Sequence, residues 1–115
     1  MKYEEMSDLQ INSAVLCVID ERVSMMEYNE ETDEFFYCDA AGEGGGFFKA
    51  PDYCNNPSDA WPIILENKIG VMYNWNRVDL WSAISPKSGY DCDCNDKNPL
   101  RAAMICFLKM KDAEK

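Results

Sequence analysis

Apolar residues at Ile11, Ala14, Val15 and Val18 keep the i, i+3, i+4, i+7 spacing of a helix with one buried stripe. Ser7 stands before it as N-cap with Gln10 as capping-box partner, and Met6 is placed to staple against Ile11. The period then shortens. Val23 to Tyr28 and Phe35-Phe36-Tyr37-Cys38 read as two strands, joined by a turn at Glu30-Glu31-Thr32-Asp33. Asn56-Pro57 and Asn98-Pro99 repeat one device, an Asn N-cap followed by Pro at the first helical position. The first opens a helix from Ser58 to about Asn67, in which Pro62 must fall near the first turn or introduce a kink. The second opens the C-terminal helix, with Leu100, Ala103, Met104, Phe107 and Leu108 inward and Arg101, Lys109 and Lys111 toward water or the surface. Between them, residues 69–73 and 78–84 read as strands around a turn at Asn74-Trp75-Asn76-Arg77. Residues 85–97, with Pro86, Gly89 and an Asp/Cys/Asn cluster, read as a surface loop.

The order helix, two strands, helix, two strands, helix predicts an α+β fold: a small antiparallel sheet with about three helices packed on it. No internal repeat or linker divides the chain, so residues 1–115 are expected to form a single domain. The Gly42-Glu43-Gly44-Gly45-Gly46 run lacks the G-x4-G-K-[ST] pattern of a phosphate-binding loop and reads as a mobile connector. Phe47, Phe48 and Lys49 are the groups it would carry as a lid.

Composition narrows the chemistry. The chain has 11 Lys plus Arg, 21 Asp plus Glu and no His, for a net charge of −10. Without His there is no Ser-His-Asp triad, no Cys2His2 zinc site and no imidazole base working near neutral pH. The charge excludes duplex nucleic acid as a partner, since phosphates attract basic proteins. Seven acids and no base lie between Glu27 and Glu43. That stretch reads as a solvated, charge-protected edge or as an acidic face that docks on a basic partner. Two acids in the first five residues and the lack of an 18-residue apolar window point to a cytoplasmic protein without a membrane span. Its six Cys are then expected to be reduced. Cys17 and Cys106 fall on apolar helix faces, while Cys38, Cys54, Cys92 and Cys94 stay open between free thiols, a metal site and pairing. Only one close pair, Cys92-x-Cys94, has anything like ligand spacing, so no metal and no cofactor is assigned.

Candidate chemistry gathers at the two Asn-Pro helix starts, where unpaired N–H groups and a partial positive charge favour an anion. Asn55, Asn56, Ser58, Asp59, Asn98 and Arg101 lie at these starts, and Trp61 and Trp75 on the elements between. Converged, they would form a ligand site with aromatic walls, directed amides and one guanidinium, suited to a small phosphorylated nucleotide-like ligand. The bland alternative is that Asn-Pro merely starts helices, the Trp residues fill a core and Arg101 pairs with an acid. No catalytic residue is assigned, because a nucleophilic thiolate lacks a histidine partner.

Tyr53-Cys54-Asn55-Asn56-Pro57-Ser58-Asp59-Ala60-Trp61-Pro62-Ile63-Ile64-Leu65-Glu66-Asn67 and Asn98-Pro99-Leu100-Arg101-Ala102-Ala103-Met104-Ile105 resemble the NinX family of small tailed-bacteriophage and prophage proteins. The opening Tyr3-Glu4-Glu5-Met6-Ser7-Asp8 with Ile11-Asn12 also fits. The resemblance implies an accessory protein of the infected bacterial cytoplasm, dispensable for building the virion, with anti-defence roles common among such proteins. The expected function is a non-catalytic binding module, a homo-oligomeric sponge for a cyclic dinucleotide or ADP-ribose type signal. The alternative is an acidic inhibitor that mimics nucleic acid and blocks a host protein.

Overall fold

Four helices and two three-stranded antiparallel sheets form the described part of a computed structural model covering residues 2–38, 44–74, 79–86 and 92–114. A 3-10 turn at Tyr3–Glu5 leads into α1 (Asp8–Ile19), whose Ser7 and Gln10 form the expected reciprocal capping box. Then follow α2 (Glu21–Ser24), β1 (Glu27–Asn29), β2 (Glu34–Cys38) and β3 (Gly45–Phe48). The second half runs α3 (Pro57–Asn67), β4 (Gly70–Asn74), β5 (Leu80–Ile84), β6 (Cys94–Asp96) and α4 (Pro99–Ala113). The α+β class and element order match the sequence reading. The strands, however, form two separate meanders, β1-β2-β3 and β4-β5-β6, where one sheet was expected.

Three local differences have physical causes. Val23 belongs to a helical turn, not a strand, because the Asp20 carboxylate caps α2 by accepting from the Arg22 backbone N–H at 3.0 Å. Gly45 and Gly46 are strand, paired with Cys38 and Tyr37. A Cβ at Gly45 would strike the Tyr37 carbonyl, and one at Gly46 would meet the Tyr37 ring, so glycine here permits close strand approach. Residues 94–96 are strand rather than loop, paired with Trp81–Ala83 so that Cys94 is buried under α4. The expected turn at 74–77 falls largely outside the described residues.

The helix α4 is the hub. It packs on α1, α3, β4, β5 and β6, and every residue from Ala102 to Leu108 is buried. A helix covered on all sides is apolar all round, which is why its stripe is broader than the five positions expected. Pro62 falls in the second turn of α3, and the carbonyl it leaves without a helical partner belongs to exposed Ser58. The core cluster excludes Phe35 and Val23, which sit under the first sheet instead. The molecule measures 56 × 26 × 26 Å with a radius of gyration of 15.3 Å, against about 13 Å for a sphere-like chain of this size.

Burial pushes the Cys54 and Cys106 thiols up to about 12 and Cys94 to about 11. Burial and a hydrogen bond to Asp112 raise the Tyr3 phenol to about 12. Unfolded thiols and phenols ionise at about 8.5 and 10. Folded values above unfolded ones mean that this stability is fully present below about pH 8 and is lost as pH climbs toward 11–12. With no His, urea midpoints should be flat between about pH 6 and 8 and fall above about pH 9. Tyr3→Phe should make the decline above about pH 10 shallower. A midpoint changing steeply near neutral pH would contradict this assignment.

Candidate functional site

Two Asn-capped helix starts meet the N-terminal segment in one polar cluster. The Asn98 side chain accepts from the Leu100 and Arg101 backbone N–H groups at 2.9 and 3.3 Å. Its amide donates to the Cys54 carbonyl at 2.7 Å and to Asn55 Oδ1 at 3.0 Å. Asn55 in turn donates to Asp8 at 3.2 Å and to Asp52 at 3.1 Å. Buried Asn12 donates to Asp52 at 3.0 Å and accepts from the Cys54 N–H at 3.1 Å.

Arg101 is the centre of this cluster. Its Nη1 donates to Asp8 at 2.7 Å and its Nε to Asp96 at 3.1 Å. Its Nη2 donates to the Met6 and Glu4 carbonyls at 2.6 and 3.2 Å. The side chain is only 12% exposed. Burial works against the guanidinium charge, but Asp8 and Asp96 outweigh it and hold the pKa above its ordinary value. Two further links tie the same segment to α4: Lys109 to Glu4 at 2.6 Å, and the Tyr3 hydroxyl to Asp112. The Lys109 ammonium holds the Glu4 carboxyl below the usual range. Arg101 and Lys109, expected to face water or the surface, are turned onto protein partners because α4 is enclosed.

Of the predicted ligand residues, Asn55, Asn98 and Arg101 are brought together. Asn56 caps α3, accepting from the Ser58 N–H at 3.0 Å, and Asp59 lies in the first turn, where a carboxylate suits the helix dipole. Trp61 points elsewhere. It is 54% exposed and lines a cleft of about 370 Å³ with Leu65, Lys68 and Val71. Trp75 lies outside the described residues. Asp8, Asn12, Asp52 and Asp96 went unread, although Asn12 is a polar residue inside the buried arc of α1, a signal of an internal hydrogen bond.

Among the described residues, no three His, Cys, Asp or Glu side chains come together to hold a metal. Cys54, Cys92 and Cys94 are buried free thiols, and Cys38 is exposed and free. No described helix is long and apolar enough to cross a membrane.

A second surface lies on the outer face of the first sheet. Cross-strand register aligns Glu27, Phe36 and Phe47 in one row. The two rings sit 5.2 Å apart, with Phe47 59% exposed. They floor an open cleft of about 620 Å³ walled by Glu27, Glu30 and Glu31. The ion pairs among the described residues engage Asp20, Asp8, Asp96, Glu4 and Glu114, and none engages the acids of this hairpin.

Fold and cluster together define a small α+β protein whose N-terminus is locked by charge onto a buried central helix. The model of the bacteriophage P22 NinX family matches residues 2–111, so the chain belongs to that family and is a phage accessory protein. The match spans the acidic hairpin as well as both Asn-Pro segments. No curated protein and no solved structure matches the chain.

Removing Arg101 strands two carboxylates and two carbonyls. Arg101→Ala should therefore cost about 3 kcal/mol, at the low end for a buried pair because Asp8 is part-exposed. That corresponds to a Tm lower by roughly 10 °C. Arg101→Lys keeps the charge without the fork and should recover only part of it. Exposed Trp61→Ala should cost under about 1 kcal/mol. Thermal unfolding of the three variants checks the ranking, and an Arg101→Ala protein as stable as wild type would refute the clamp.

Proposed function

We propose that this phage accessory protein acts by binding without turnover, and that its partner is a basic protein surface of the host, held by the outer face of the β1-β2-β3 sheet. The observation that carries this reading is the half-exposed Phe36–Phe47 pair rimmed by unpaired Glu27, Glu30 and Glu31. Aromatic rings at the centre of a polar rim are the usual anchors of a protein interface. Unpaired acids around them steer a cationic partner and repel nucleic acid. Binding would occlude the partner's positive surface, as a nucleic-acid mimic does.

The reading of a sequestered phosphorylated nucleotide draws support from the convergence of Asn55, Asn98 and Arg101. It is the weaker one, because Asp8 and Asp96 already neutralise the guanidinium that a phosphate would need.

Retention of host proteins on immobilised wild type should give a salt-sensitive partner. That partner should be lost from Glu27→Gln/Glu30→Gln/Glu31→Gln and from Phe47→Ser, and kept by Trp61→Ala. Retention indifferent to the first two variants would reject the hairpin face. In parallel, cyclic dinucleotides and ADP-ribose are screened by thermal shift. A saturable stabilisation approaching about 2.7 kcal/mol at 100 Kd would instead support the sponge.

A further inference from the structure

The inner face of the same hairpin borders a second open space with a more apolar lining. A cavity of about 410 Å³ lies between α1, α2, β1 and β2, within the size range of small-molecule sites. Its apolar lining includes Met6, Ala14, Met26 and Phe35. Methionine walls adapt to an irregular apolar body. Among the described residues the lining holds no Lys or Arg, and its charged members are Glu30 and Asp33.

Two observations at the polar side point to an occupant. Ser13, only 5% exposed, lines the cavity with a buried hydroxyl that makes no hydrogen bond of ordinary geometry. It bears only on the neighbouring Tyr28 phenol, opposing the rise in pKa that burial and Asp33 cause there. A buried hydroxyl whose one polar neighbour is so poorly placed is costly, and a polar ligand group would offer it a better partner. Asp33 is the second. Its Oδ1 accepts from the Tyr28 hydroxyl, and among the described residues no further hydrogen bond uses the rest of the carboxylate. The Tyr28 and Phe35 rings, 4.9 Å apart and edge to face, stand beside it, a setting that favours a cation over a phosphate.

We infer that this cavity is a binding site for a small amphipathic organic cation, an aromatic or aliphatic body ending in an ammonium group. The body occupies the Met6–Met26–Phe35 lining. The ammonium meets Asp33 and Glu30, and a polar group of the ligand satisfies Ser13. Tyr28 and Glu30 border both spaces, but Asp33 and Phe35 line only this one, while Phe36 and Phe47 line only the outer face.

Tryptamine and indole-3-propionate serve as probes, sharing a ring and differing in charge. Tryptamine should raise Tm saturably and slow iodoacetamide alkylation of Cys17, a half-buried thiol in the cavity wall, as followed by peptide mass spectrometry. Indole-3-propionate should do neither. Asp33→Asn, which keeps a residue suited to the positive φ of 55° at that turn, should weaken tryptamine tenfold or more. Exposed Glu30→Gln should weaken it less, and Phe47→Ser should leave it unchanged. Absence of a saturable tryptamine effect at millimolar concentration would overturn the proposal. So would an equal response to indole-3-propionate, or a response that Asp33→Asn leaves intact.

Discussion

The core half of this fold hangs on the attachment of the first eight residues to α4. Arg101, Lys109 and Asp112 occupy successive stretches of that helix and take Met6 and Asp8, Glu4, and Tyr3 respectively. These contacts close loops of roughly the whole chain, so their entropic cost is high and must be met by good local chemistry. A planar guanidinium with all three nitrogens bonded supplies that chemistry, and a lysine in its place would not. The same residue reaches Asp96 at the end of β6, so the second sheet is registered by the group that fixes the N-terminus. The Asn55–Asn98 contact then brings the start of α3 to the same place. One largely covered cation thus sets the relation of two helices and a strand, and Asn98 beside it adds the third helix.

The two meanders share a lock that owes nothing to that cluster. Tyr28 donates to Asp33 across the first hairpin, and Tyr73 donates to Asp79 across the second. Both aspartates adopt positive φ, near 55° and 53°. Asp tolerates this region better than most residues because its short side chain bonds locally. Each hairpin therefore carries its own turn chemistry, but the second is also packed on α4 through Ala83 and Cys94, whereas the first is not part of that core cluster. That independence allows the first sheet to stand outside the main hydrophobic cluster, and it accounts for the elongated shape.

Local signals were legible wherever they involved neighbours in sequence. The Ser7–Gln10 capping box and both Asn-Pro helix starts are short-range events, and each was readable from residue type and spacing. Legibility failed where the deciding partner was distant. Gly45 and Gly46 look like a flexible connector until Tyr37 is seen to need the space above them. Cys94 looks like loop until Ala83 pairs with it beneath α4. The sequence leaves Arg101 open between a phosphate ligand and an ion pair, because one of the acids that decide for the pair, Asp8, lies 93 residues away. Asn55, Asn98 and Arg101 do converge, and their polar atoms are spent on each other and on neighbouring acids.

The distribution of charge follows from this arrangement. The bases engaged in ion pairs among the described residues, Arg22, Arg101, Lys109 and Lys111, neutralise acids of α1, α2, β6 and α4 or their flanks. The described hairpin acids remain without such partners, so a large part of the −10 is expressed where the sheet stands clear of the core. Like charges crowded on a small sheet repel, and the sheet offsets this with the cross-strand ring rows Tyr28–Phe35–Phe48 and Phe36–Phe47. In the inner row Phe35 is buried and Tyr28 and Phe48 are half-buried. The outer row leaves Phe47 in solvent, a cost that stability alone does not require, and a binding face explains both that exposure and the uncompensated rim.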